Sequence, residues 1–273
     1  MTPVSMRSLP PQEPLPQNTP LRRGLMPTLT ALVSFAALLA VWHLAAMTWP
    51  SRSFPPPLDV LRAFLHDFGT GELPHHLAIT LWRVGASFLL AMVIGSATGI
   101  YLGSHRRADQ FLQPWVILFL NIPALVIIVL AYIWFGLTEA AAIGAVAVNK
   151  IPNVIVTLRE GTRALDLRYS DMARVYRFNM LERFRHVLLP QLQPYLTAAA
   201  RSGISLIWKI VLVVELLGRS DGVGFQINLY FQLFDVAAIL AYTLAFVGVM
   251  LFIELVVVQP LEHASTRWRQ RAS

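Results

Sequence analysis

The chain has 273 residues, of which 56% are hydrophobic and 14% charged, with a formal net charge of +7 and no cysteine. Soluble domains carry about 25% charged residues, so this composition excludes an ordinary soluble domain, and the missing cysteines remove disulfides, thiolate metal sites and cysteine nucleophiles. The basic residues flank apolar runs instead of interleaving with exposed aromatics, which excludes nucleic acid as the partner.

In chain order, residues 1–24 are proline-rich without apolar periodicity and read as a disordered cytoplasmic tail. Six apolar runs follow: Leu25–Trp49, Leu81–Leu102, Pro114–Leu137, Ala140–Leu158, Ala198–Leu217 and Val236–Val258. A bilayer core of about 30 Å needs about 20 helical residues. In hydrocarbon every backbone amide must be satisfied internally, so each run reads as a helix. The expectation is an all-α polytopic membrane protein with about six transmembrane helices. Arg22-Arg23 before the first run resembles a signal sequence, but that run is too long for a cleaved one and reads as a retained helix at 25–49.

Between the first two spans, Leu58, Leu61, Leu65 and Phe68 recur at helical spacing. They predict a short helix on the outer surface, within an extracytoplasmic linker at 50–77, ended by Gly69-Thr70-Gly71. His75-His76 reads as an outer loop pair. In the second span Gly95 and Gly99 are small residues of the kind that let helices approach closely in lipid. Pro123 and Pro152 interrupt the third and fourth spans beside Asn121, Asn149, Lys150 and Asn153. Such breaks are tolerated where they face protein or water. Lys150 either faces the bundle interior or snorkels to an interface. Lys209 and Glu215 lie six residues apart on the fifth span, too far to pair locally. Asn121, Asn149, Lys150, Lys209 and Glu215 are the candidate pathway-lining residues.

With six spans, both tails and the second and fourth loops share one side. That side carries fifteen arginines against four opposite, which places both termini in the cytoplasm of a multi-pass cell (inner) membrane protein. The last of these basic segments is the tail 260–273.

The inner segment 159–193 is more than a connector. Leu165–Tyr176 predicts one short helix. Asn179 with Glu182 forms a capping box for a second, whose apolar stripe is Met180, Phe184, Val187 and Leu188 and whose end is Pro190. Here the sequence resembles a known motif. Permeases of binding-protein-dependent ABC importers carry E-A-A-x3-G-x9-I-x-L-P, and Asp171-Met172-Ala173, Arg177, Val187 and Leu189-Pro190 stand at its positions with the spacing kept. Arg177 in place of glycine is the main departure, with Asn179 expected to take over the turn. Gly99-Ile100-Tyr101-Leu102-Gly103, Arg106-Arg107-Ala108-Asp109, Trp134-Phe135-Gly136-Leu137 and Gly222-Val223-Gly224-Phe225 extend the resemblance. The chain is most similar to the branch importing nitrate, aliphatic sulfonates such as taurine, and thiamine precursors.

The resemblance implies a type I ABC importer permease fold over 78–259. It implies a permease subunit that pairs with a copy of itself, two ABC ATPase subunits below and an extracytoplasmic solute-binding protein above. In it, Asp171, Met172, Ala173, Arg177, Val187, Leu189 and Pro190 would couple the bundle to the ATPases, with Ala173 small enough to seat against one. ATP and Mg would belong to the partner subunits and no cofactor to this chain. No G-x4-G-K-[ST] phosphate loop exists, and neither Lys150 nor Lys209 follows a glycine. The histidines include no H-E-x-x-H, so the chain reads as a transporter component and not an enzyme. Six spans with buried charges alone suit a stand-alone secondary transporter or channel equally; only the spaced cytoplasmic motif separates the two.

Overall fold

A computed structural model describes residues 26–48, 51 and 53–260. The tail 1–24 and the basic tail from residue 261 lie outside them. The described residues form helices α1 (Met26–Thr48), α2 (Pro57–Thr70), α3 (Glu72–Ser104), α4 (Arg106–Asn121), α5 (Ala124–Phe135), α6 (Glu139–Arg163), α7 (Leu167–Val175), α8 (Met180–Arg183), α9 (Leu189–Gly218), α10 (Val223–Gln232) and α11 (Val236–Ile253). The chain divides into two units, Met1–Trp49 and Pro50–Ser273. In the first, α1 is a 23-residue helix without a charged side chain. That is ~35 Å of helix, enough to cross a hydrocarbon core.

In the second unit, α3, α6 and the stretch Val236–Val256 are each long and apolar enough to span a membrane. The α4–α5 pair passes the same test only when taken together and is bent by 98° at the break between the two helices. The third apolar run is therefore two helices. Pro123 has no amide to donate, and Asn121 closes α4 by donating from Nδ2 to Ile117 O at 2.8 Å. Pro152 leaves α6 continuous. The 30-residue α9 is also long enough, with Arg201, Lys209 and Glu215 along it.

The centre is built from α3, α6 and α9. On α3, Gly95, Gly99 and Gly103 form a ridge at intervals of four against α6, and a Cβ on Gly99 would stand 2.8 Å from Ile155 O. Small residues permit this approach in lipid, where no hydrophobic force pushes helices together. Val84, Ile128, Tyr132, Ala145, Ile207 and Val211 fill the space between α3, α5, α6 and α9. Leu73, Val223, Tyr242 and Phe246 join α3 to α10 and α11. Val154, Leu158, Leu192 and Ala199 pack the opposite end of the bundle, beside the motif-bearing loop.

The short linker helix is present as α2. Gly71 ends it at φ +88°, a left-handed geometry that glycine adopts without a Cβ clash. Val60 and Phe64 face the bundle, while Leu58, Leu61, Leu65 and Phe68 stay exposed, as an interfacial helix requires. His75 and His76 lie in the first turns of α3 and not in a loop, because α3 begins nine residues before the apolar run.

Candidate functional site

Two polar sites occupy opposite ends of the second unit. At the loop end, α7 carries the motif. Its last turn closes with Phe178 N donating to Ala173 O at 2.9 Å and Tyr176 N donating to Met172 O at 3.0 Å. Arg177 between them has φ +53°. This is a Schellman-type stop, in which a left-handed residue reverses the chain. The expected hand-over of the turn to Asn179 does not occur. Arg177 itself takes the conformation glycine would favour, and Asn179 is extended at φ −72°. Asn179 instead caps α8: its side chain accepts from Glu182 N at 2.8 Å, and Glu182 Oε2 accepts from Asn179 N at 2.9 Å. The predicted capping box is thus present.

Pro190 does not stop the second helix. Residues Phe184–Leu188 form a π-helical turn, Leu189 N donates to Phe184 O, and α9 continues directly from it. The wider turn carries the chain past the amide that proline lacks. Of the expected apolar stripe, Val187 and Leu188 turn inward, whereas Met180 and Phe184 remain exposed.

Ala173 is 3% exposed and faces into this chain, so its small size serves the loop's own packing. The outward surface is made by its neighbours: Val175, Tyr176 and Met180 are 80%, 70% and 88% exposed, with Met172 and Leu181 beside them in sequence. Asp171, Arg177, Leu189 and Pro190 are also exposed, and Val187 is buried. An apolar surface of this kind on a solvated loop marks an interaction site.

At the far end lies a buried ionic cluster. Arg83 on α3 is 2% exposed and Glu215 on α9 is fully buried. Arg83 holds Glu139 at the start of α6 through both Nε and Nη2, at 2.8 and 2.9 Å. Its Nη1 donates to Glu215 Oε1 and to Asp221 O, each at 2.9 Å, and Nη2 donates to the Asp221 carboxylate. Glu215 Oε2 accepts from Gly224 N and Thr80 Oγ1, both at 2.9 Å. Arg219 reaches Glu139 Oε2 at 2.8 Å and Leu137 O at 2.6 Å. Gly222, at φ +102°, passes so close that a Cβ would fall on the Glu215 carboxylate. Gly222 N donates to His76 Nδ1 at 3.0 Å. One guanidinium, whose fixed fork satisfies three carboxylates, thereby ties α3, α6, α9 and the α9–α10 turn. In that turn, burial alone would raise the Asp221 carboxyl, but the adjoining Arg83 guanidinium outweighs it and holds Asp221 below the usual carboxylate range.

The structure does not gather the candidate pathway residues into one pocket. Glu215 belongs to this cluster. Lys150 is buried and faces α9, with Nζ donating to Ser202 Oγ at 3.3 Å and no carboxylate partner among the described residues. Lys209 is exposed and lies over the Trp208 ring, 5.4 Å from its centroid. Asn149 is half-buried and Asn121 exposed. Sequence reasoning missed Arg83, Glu139 and Asp221. The available signal was Arg83 itself, a charge inside an apolar run, which is expensive unless paired.

The described residues form a helical bundle with several helices long and apolar enough to cross a membrane, one helix pair bent at a break, and a structured loop at one end, the architecture of a polytopic membrane protein. The chain belongs to the family described as binding-protein-dependent transport system inner membrane component, whose model matches residues 91–269. It is therefore a multi-pass permease component of the inner membrane and not an enzyme. Among its relatives is a protein named aliphatic sulfonates transport permease SsuC from Escherichia coli (strain K12), 30% identical over 190 residues that cover 69% of this chain and 72% of that one. The nitrate import permease NrtB of Leptolyngbya laminosa is 28% identical over 202 residues, covering 71% and 72% of the two chains. A solved structure of the MetNI methionine ABC transporter in inward-facing conformations matches with a TM-score of 0.52 at 18% identity, covering 71% of this chain and 93% of that one. That likeness supports the fold.

Proposed function

We propose that this permease imports a small anion or organic solute of the nitrate, sulfonate and taurine class, and that ATP hydrolysis on separate subunits drives it through the α7–α8 loop. The observation that carries the reading is the exposed apolar surface of Val175, Tyr176 and Met180 on the segment with the motif spacing. A helix seated in a groove on an ATPase moves with it and transmits nucleotide-driven closure to the bundle. ATP and Mg reside on two such partners, a solute-binding protein delivers the ligand from the other side, and both termini are cytoplasmic. Asp171 and Met172 stand at the edge of the docking surface, while Ala173, Arg177, Val187, Leu189 and Pro190 hold its shape.

The outward face of α9 supports pairing with a second copy. Ser202, Ser205, Lys209, Val213 and Leu216 recur at helical steps and are exposed on this chain. A lysine at membrane depth is expensive against lipid, while the two hydroxyls bond back to Ala199 O and Ser202 O. Facing a second permease across a hydrated pathway accommodates the lysine, with Asn121, Asn149 and Lys150 as further lining candidates and Glu215 anchoring the far end.

The test is solute uptake by the chain reconstituted with and without its ATPase and binding protein. Uptake requires both partners, and Val175→Asp abolishes it while the variant still inserts and folds. Uptake at full rate by the chain alone defeats the proposal. Because the chain has no cysteine, one introduced at Tyr176 reports sidedness directly. Labelling of that thiol from outside intact cells defeats the orientation.

A further inference from the structure

Lys150 is a buried cation that no carboxylate neutralises among the described residues. It is 2% exposed. It stands near the middle of α6, ~17 Å of helix from the Glu139 end and ~20 Å from the Arg163 end, at the depth of a bilayer centre. Its ammonium has three N–H donors. Among the described residues one acceptor meets them, Ser202 Oγ at 3.3 Å, a long contact to a neutral oxygen. The carboxylates along α6 are engaged at its two ends, Glu139 by Arg83 and Arg219, and Glu160 by Arg159 and Arg163. On α9 no carboxylate precedes Glu215, which pairs with Arg83.

The packing admits this lysine toward α9. One helical turn away on either side lie buried Val146 and Val154, members of two separate apolar clusters. Gly203 makes room between them: a Cβ there would stand 3.4 Å from Lys150 Cε and 3.2 Å from the Phe88 ring. Ser202 is exposed, so the charge ends directly behind the outward face of α9. Ser202 Oγ donates to Ala199 O and Ser205 Oγ donates to Ser202 O, each at 3.2 Å. Both hydroxyl protons are thereby committed to the backbone, and the ammonium supplies the uncommitted donors. Lys209, two turns along the same face, is exposed and rests on Trp208. A buried charge without a counter-ion is costly, and within a membrane span such a residue marks an ion or substrate pathway.

We propose that Lys150 is the anion-holding residue of the translocation pathway, its ammonium receiving the nitrate or sulfonate group of the solute at the Ser202–Ser205 face. This rests on the reading that the outward face of α9 lines a hydrated pathway, and it narrows the cargo to solutes bearing a singly charged oxyanion group. The two N–H donors without an acceptor bond two oxygens of that group. The four-carbon stem lets Nζ follow the group toward the open face. One ammonium matches one negative charge, whereas a neutral solute gains nothing from it and a cation is repelled.

The chain has no cysteine, so a Ser205→Cys variant of the full permease, assembled with its ATPase and binding protein, carries one thiol beside this charge. Its reaction rates are measured with the anionic 2-sulfonatoethyl and the cationic 2-trimethylammonioethyl methanethiosulfonates and with neutral N-ethylmaleimide. The ratio of the first two rates cancels the ionisation of the thiol itself and is divided by the ratio for a free thiol in solution. The expected result is a preference of about tenfold for the sulfonate reagent. Lys150→Met in the same background abolishes it and Lys150→Arg keeps it, while N-ethylmaleimide still reaches the thiol in both. Lys150→Gln repeats the loss where the Met variant fails to assemble. A preference unchanged by the loss of Lys150, or removed entirely by Lys209→Met, overturns the inference and leaves the hydrated face standing. A thiol that none of the three reagents reaches overturns the hydrated face itself, and the inference with it.

Discussion

The two ends of the α3–α6–α9 bundle are built on opposite principles. At the far end one buried arginine satisfies three carboxylates drawn from α6, α9 and the α9–α10 turn. At the loop end two short helices are held by a left-handed turn and a capping box, and their apolar side chains point outward. Arg83 and Glu215 are withdrawn from water, so separating them leaves an uncompensated buried ion, while Glu139 and Asp221 stay partly exposed. Local caps contribute less each, and they act within the loop. The proposed coupling draws on this asymmetry: a knot distant from the loop, and a loop whose outward apolar surface is left uncovered by this chain.

Substitutions at the two ends sharpen the contrast. The largest effect belongs to Arg83→Ala, which leaves Glu215 buried without its counter-ion and costs about 3–5 kcal/mol. Denaturant or thermal unfolding in detergent reads this as loss of most of the folded population, and a midpoint near wild type would show that the cluster does not hold the helices together. Next is Asn179→Ala. It removes the cap of α8 and costs about 1 kcal/mol. The change should be local, read as faster hydrogen exchange over residues 180–183 with the far end unaltered. A loss of protection at the far end would mean that the two regions are not separable. Smallest is Arg177→Gly, which relieves the left-handed strain of a side-chain-bearing residue and stabilises the loop by about 0.5–1 kcal/mol. Slower exchange at Phe178 is the expected readout, and destabilisation would mean that the Arg177 side chain contributes contacts outweighing the strain.

The comparison also explains why the loop end was easier to read than the knot. The Asn179–Glu182 capping box spans three residues and depends on backbone geometry that any helix start shares, so sequence alone placed it. The motif spacing located the segment for the same reason. What sequence could not assign was direction. Ala173 matched the motif's small position and was expected to meet a partner, yet it is buried in the loop while Val175 and Tyr176 face outward. A nine-residue helix with apolar residues on more than one side leaves open which side the rest of the chain will cover. Pro190 misled for a related reason. Proline forbids an ordinary hydrogen bond at its nitrogen, but a π-helical turn reroutes the ladder, and only the surrounding packing decides between stopping and rerouting.

Sequence by itself determined that this protein is a helical membrane protein and which loop carries the motif spacing. Those follow from transfer free energies and short-range spacing, which are properties of consecutive residues. Tertiary structure alone decided that Arg83 and Glu215 are partners and that the third run is bent through 98°. The residues in these features are far apart in the chain, with Arg83 and Glu215 separated by 132 positions. Their meeting depends on how close two helices come, and a ridge of three glycines on α3 is what brings α6 within reach.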